Sequence, residues 1–162
     1  MRDVAPESSQ DSFLRRPISS WLRLDGWVLI AALIVAAAVA GNHHDVGLQA
    51  VADFFDMDGW RVVLLGANVP TGDLIEAVGD YQADLLALSA AQRTQLPTLR
   101  ATIEAIRRGP SASIKILVGG RALAGAADLA AEFGADGCAA GPAEAVALGN
   151  ALVGVEPAGS LP

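Results

Sequence analysis

His43 and His44 stand side by side in the segment Gly41-Asn42-His43-His44-Asp45-Val46-Gly47, and they are the chain's two histidines. Neutral imidazole is the commonest protein ligand for transition metals, and a ring that coordinates through one nitrogen normally has the other oriented by a nearby acceptor. Asn42 and Asp45 are near enough in sequence to supply it. A dedicated zinc site of His43, His44 and Asp45 is disfavoured, because adjacent residues point in diverging directions and no third ligand follows at helical spacing. Asp45 equally suits a helix N-terminus, where a carboxylate meets the positive end of the macrodipole.

Two further segments carry groups that a ligand could use. Ser89 closes the apolar run Leu85 to Leu88, and Gly119-Gly120 closes Ile114 to Val118. A hydroxyl can hydrogen-bond a ligand, and a glycine pair leaves room for something bulky and flat to press on the backbone. Both features could instead be turn-forming residues. The lone Cys138 has no partner for a disulfide or for metal-ligand spacing, so it reads as a small core residue of a reducing, cytoplasmic setting.

These groups need elements to position them. A first strand is expected within Leu29 to Val39, because Gly41 and Gly47 bracket a tight turn and Leu48, Val51, Ala52 and Phe55 then recur at helical spacing, ending at Asp58-Gly59. Arg61 to Leu65 reads as the second strand and Gly66 to Pro70 as a loop. Thr71 reads as the N-cap of a helix through Val78, with Asp73 in its first turn. Leu85 to Leu88 is the third strand, and Pro97 opens a helix to about Arg108 with Ile103 and Ile106 inward and Arg107 and Arg108 at its negative end. Ile114 to Val118, a helix over Ala124 to Phe133, a short strand over Gly137 to Ala140 and a helix from Pro142 to Leu152 complete the chain. Trp60, Phe54 and Phe55 read as core or helix-packing residues.

This alternation predicts an α/β fold, a five-stranded, doubly wound parallel sheet of flavodoxin-like (Rossmann-like) order 2-1-3-4-5. Ligands of such sheets bind beyond the carboxyl ends of the strands, at the switch between strands one and three. That rule selects the loops beginning at Gly41, Ser89 and Gly119.

The chain has 162 residues, enough for one domain over 28–155. Residues 1–27 read as a disordered or partly helical leader and 156–162 as a disordered tail. Arg15-Arg16, the apolar run from Trp27 and Ala38-Val39-Ala40 imitate a signal peptide, but cleavage after Ala40 would remove the central strand. The run from Trp27 to Ala40 is also shorter than the roughly 18 residues of a membrane span. A net charge of −7 offers no attraction to phosphate backbones, which argues against direct nucleic-acid binding by this chain alone.

Other ligands of this architecture fit poorly. A phosphoacceptor domain needs a carboxylate where Ser89 stands, a flavin phosphate site wants a Ser/Thr-rich or Gly-rich loop after strand one, and no GxGxxG follows a strand.

The pattern Asn42-x-His44-x-x-Gly47, then Ser89, then Val118-Gly119-Gly120, resembles the cobalamin (vitamin B12)-binding domain signature D-x-H-x-x-G, S-x-L, G-G. The likeness continues through Gly66-Ala67-Asn68-Val69-Pro70 and Gly134-Ala135-Asp136-Gly137, so it covers roughly Leu29 to Leu152. The resemblance implies cobalamin (adenosyl-, methyl- or hydroxocobalamin) held with its own base displaced and His44 as lower axial ligand of cobalt. It also implies a tail in a channel beside the sheet, bonded by Ser89, lined by Gly119 and Gly120, and cleared by Gly47. Asn42, His43, Asp45, Val46, Leu88 and Gly137 complete the implied cofactor-binding set.

Two departures bear on the role. The family's usual Asp is Asn42, a neutral and weaker acceptor, which implies softer cobalt coordination. S-x-L reads Ser89-Ala90-Ala91, and a position that is often Lys in methyl-carrying corrinoid proteins is Leu48. The expected function is therefore a binding module without catalysis of its own, a photoreceptor-like or sensory regulator that signals to a partner. The alternative is a corrinoid methyl-carrier protein of a methyltransferase system. A protein partner or self-association is expected over an open upper corrin face, where Trp21 or Trp27 could reach.

Overall fold

Leu33-Ile34-Val35-Ala36-Ala37-Ala38-Val39 has no polar side chain, and every one of its residues is buried, as a strand covered on both faces requires. In the computed structural model, which describes residues 31–156, this segment is β1, the centre of a five-stranded parallel sheet. The strands β2 (Arg61–Val69), β3 (Leu85–Ser89), β4 (Lys115–Gly119) and β5 (Gly137–Ala139) complete the order β2-β1-β3-β4-β5. The helices α1 (Val46–Met57), α2 (Thr71–Asp80), α3 (Leu96–Arg108) and α4 (Ala127–Glu132) are the crossovers, and α5 (Pro142–Val153) follows the last strand. The fold is the doubly wound α/β order that the alternation predicts. Trp21, Trp27, the leader over 1–27 and the tail from 157 lie outside the described residues.

Alternation along β1 divides the core in two. Leu33, Val35, Ala37 and Val39 face Leu74 and Val78 of α2 and Leu99, Ile103 and Ile106 of α3. Ile34, Ala36 and Ala38 face Leu48 and Phe55 of α1 and Ala145 of α5. On this second side α1 and α5 approach closely, because Gly149 lacks a side chain; a Cβ there would stand 2.7 Å from the Phe55 ring. The Trp60 indole meets that ring edge-on and donates to Asn150 Oδ1 at 2.8 Å, and Asn150 Nδ2 donates in turn to Asp58 Oδ2 at 2.7 Å. The buried indole N–H is therefore paired.

Several boundaries differ from the sequence expectations. Gly66 to Val69 is strand and not loop: Gly66 and Asn68 have positive φ, and they sit where β2 shifts register against β1. These turn-like residues make a bulge. Thr71 does not cap α2; Pro70 occupies that position, and the Thr71 hydroxyl lies 2.8 Å from the Thr102 hydroxyl of α3. The helix expected over Ala124 to Phe133 is a 3₁₀ turn at Arg121–Leu123 followed by the short α4. Phe54 is 43% exposed, unlike Phe55 and Trp60, and Cys138 is only half-buried. Arg107 spans the end of α3 and the start of β4, donating to the carbonyls of Ala112, Ile114 and Gly134 and to Asp136 Oδ2.

Candidate functional site

Four strands end level with one another. Ala38 of β1 pairs with Ser89 of β3, Ser89 with Gly119 of β4, and Gly119 with Ala139 of β5, so these residues form one row across the carboxyl edge of the sheet. The loops chosen from sequence leave from this row, and each side chain in it has fixed neighbours.

The loop after β1 is tied down by buried amides. Asn42 is fully buried; its Oδ1 accepts the main-chain N–H of His44 at 3.1 Å and its Nδ2 donates to the Ser89 carbonyl at 3.1 Å. The Asn42 carbonyl accepts from Asn68 N, and Asn68 Oδ1 accepts from Gly41 N at 2.7 Å. From the other side, Gln95 Nε2 donates to the Gly41 carbonyl at 2.9 Å while Gln95 Oε1 accepts the N–H groups of Ala91 and Gln92. Asn42, Asn68 and Gln95 thus join the ends of β1, β2 and β3 through backbone groups that would otherwise lack partners.

This network alters the expected role of Asn42. Its amide orients the main chain of His44, not the ring, and His43, His44 and Asp45 are all exposed. Asp45 sits at the N-cap of α1 without a side-chain capping bond. Among the described residues no group of three or more His, Cys, Asp or Glu is placed to hold a metal ion.

Beside the loop, a cavity of about 390 Å³ opens between α1, α5 and the ends of β3, β4 and β5. Val46, Gly47, Leu88, Ser89, Gly119 and Gly120 of the expected set line it, and Val46 and Gly47 lie two and three residues past His44. Asn42, His43, His44, Asp45 and Gly137 do not. Gly137 is half-buried and turns toward the packed side chains, since a Cβ there would meet Leu117 Cδ1 at 3.1 Å and Leu152 Cδ1 at 3.5 Å. The wall from Ala139 to Pro142 and Ala145 had no sequence signal, because small apolar residues carry no chemistry of their own; their place after the short β5 was the available clue.

The glycines divide by cause. A Cβ on Gly47 meets nothing within 4 Å, so its absence widens the cavity mouth. A Cβ on Gly119 would stand 2.9 Å from the Ala139 carbonyl oxygen, and one on Gly120, with φ +101°, would be driven into the Ala90 carbonyl oxygen. These two glycines are required by the close approach of the chain to itself, independently of any ligand.

The Cys138 thiol is pushed up by burial and then by the Glu144 carboxylate, which keeps it protonated and unreactive. No helix of the described residues is long and apolar enough to cross a membrane.

The arrangement sets an exposed histidine pair beside a mainly apolar cavity at the carboxyl edge of the sheet. An exposed imidazole on a rigid loop can reach a metal centre above the sheet edge, and the adjoining cavity, with Ser89 as its hydroxyl, can take a tail. The sequence model of one family, the B12 binding domain, matches residues 32–149. The dimethylamine corrinoid protein 1 of Methanosarcina acetivorans is 33% identical over 154 residues, covering 94% of this chain and 63% of that protein. Among solved structures, a cobalamin-binding protein from Desulfitobacterium hafniense DCB-2 superposes with a TM-score of 0.70 at 25% identity, over 76% of this chain and 60% of that one. A methanol:cobalamin methyltransferase complex from Methanosarcina barkeri gives 0.69 at 22% identity over 77% of this chain and 47% of that one, a likeness of fold. The chain spans less than two thirds of the length of each of these proteins. Such relatives lend no support to the sensor, regulator or photoreceptor expectation, and the methyl-carrier alternative fits them better.

Proposed function

The chain belongs to the B12 binding domain family, and from that premise we propose that it is the corrinoid-holding part of a methyl-transfer system, presenting cobalt to a separate protein. Cobalamin is its cofactor. The observation that carries the reading is the placement of one exposed imidazole, His44, on a loop locked by Asn42 and Gln95 and directly beside a tail-sized cavity.

In this reading His44 would hold the cobalt, Ser89 would hydrogen-bond the tail, and Val46, Gly47, Leu88, Gly119 and Gly120 would line the tail's channel. Asn42 acts behind them by fixing the loop. His43 and Asp45 remain at the rim, exposed. The bound corrinoid supplies a cobalt centre able to accept and release a methyl group. The protein's own contribution is to set the position of the imidazole and to bury the tail away from water. Val46 is 82% exposed at this rim and belongs to the surface a methyl donor or acceptor protein would approach.

The alternative role is separated by light. A sample loaded with adenosylcobalamin and illuminated should keep its assembly state in size-exclusion chromatography. A light-driven change of assembly would restore the sensory reading. For ligation, His44→Ala loaded with hydroxocobalamin should give the absorption spectrum of a form lacking the imidazole ligand, and a spectrum identical to that of the unmodified protein would remove His44 from the role.

A further inference from the structure

The side chains around the cavity are nearly uniform in chemistry. Leu48 and Val51 of α1, Ala87 of β3, Leu117 of β4, Ala139 of β5 and Ala145 of α5 present only carbon, and among the described residues Ser89 at the rim is the one hydroxyl in the lining. Backbone groups near the wall are already committed. Ala140 N–H donates to Glu144 Oε2 at 2.8 Å, Ala145 N–H to the Gly141 carbonyl at 2.9 Å, and the strands beneath are paired in their ladders. A polar edge pushed to the bottom of this cavity would leave water and find no partner.

Corrinoids differ in the base that ends their tail. Some carry a benzimidazole, whose far edge is all carbon, and others a purine such as adenine, whose far edge carries an amino group and ring nitrogens. Resting on the corrinoid reading above, we infer that this cavity selects by that edge, and that the chain takes benzimidazole-tailed corrinoids in preference to purine-tailed ones. Leu48, Val51, Ala87 and Leu117 are the specificity-determining residues. The discrimination comes from the unpaired polar atoms of the wrong base and not from any bond to the right one, the asymmetry that makes a buried, unmatched polar group costly.

The test uses the purified apo chain and three probes: cobalamin, the same corrinoid with adenine as its lower base, and cobinamide, which lacks the nucleotide. Dissociation constants are measured by fluorescence quenching or calorimetry. Cobalamin should bind more tightly than the adenine form by about tenfold or more, the factor expected for one polar group buried without a partner. Val51→Thr, which adds a hydroxyl to the wall at constant size, should bring that ratio toward one. Equal affinity for the two bases, or a ratio unmoved in Val51→Thr, overturns the inference. Cobinamide binding as well as cobalamin also overturns it, by showing that the cavity does not hold the tail. A chain that binds none of the three overturns the corrinoid reading itself.

Discussion

Asn42 grips His44 by its main chain: the buried amide oxygen accepts the His44 N–H at 3.1 Å, while the amide nitrogen donates to the Ser89 carbonyl at the same distance. A carboxylate could make the first bond but not the second, because it has no hydrogen to donate. Asn42→Asp should therefore lower the urea midpoint of the apo protein at neutral pH, and Asn42→Ala should cost about 1–3 kcal/mol by leaving buried backbone groups unpaired. An unchanged midpoint in both variants would show that the loop holds itself without the amide.

Gln95 offers a parallel case on the other side of the loop. Gln95→Leu removes the acceptor for the Ala91 and Gln92 N–H groups and the donor to the Gly41 carbonyl. Amide exchange at Ala91 and Gln92 should accelerate well before the central strands do, since the loss is local. Exchange rates equal to those of the unmodified chain would refute the tether.

Two glycine substitutions should behave oppositely. Gly120→Ala meets both a left-handed backbone and the Ala90 carbonyl, so it should lower the Tm of the apo protein. Gly47→Leu projects into open space at the cavity mouth, so it should leave the apo Tm near its original value while cobalamin affinity collapses. Retained affinity in Gly47→Leu would place the tail elsewhere.

The Cys138 thiol sets a pH expectation. Its folded pKa lies above the unfolded value, because burial and then the Glu144 carboxylate disfavour the thiolate. The native state then holds its proton more tightly, and the resulting stability is intact below the thiol's ordinary range and declines as pH rises through it. Cys138→Ala should flatten the fall in stability above about pH 8.5, the ordinary thiol value. A fall of equal slope in the variant would assign it to other groups.

The sheet order was legible because each strand is a short apolar run closed by glycine, serine or charge, and parallel crossovers then allow few topologies. The same logic picks out Ser89 and the Gly119-Gly120 pair as strand-end residues, and the structure sets them in one row and in the cavity wall. What escaped was of two kinds. Gly66 and Asn68 have the types of a turn, and nothing local says that their positive φ serves a strand's change of register. The Ala139 to Ala145 wall and the Gln95 tether were invisible because one consists of residues without functional groups and the other depends on a backbone partner 54 residues away. Asn42 was seen, but its partners were misjudged, since its neighbour's ring and its neighbour's N–H cannot be told apart in a sequence.

The level row of Ala38, Ser89, Gly119 and Ala139 has a consequence for how such a chain can diverge. Deleting one residue within Leu85–Leu88 would turn the Ser89 hydroxyl to the opposite side of the sheet, because side chains alternate at every step. Insertions past the row leave the register ahead of it intact, but they must fall clear of Val39, Asn42 and Gly120, whose pairing, bonds and close approach tie the first part of those loops down. Descendants are therefore free to lengthen and re-sequence the loops past those tethered residues, while the count of residues ahead of each rim position stays frozen.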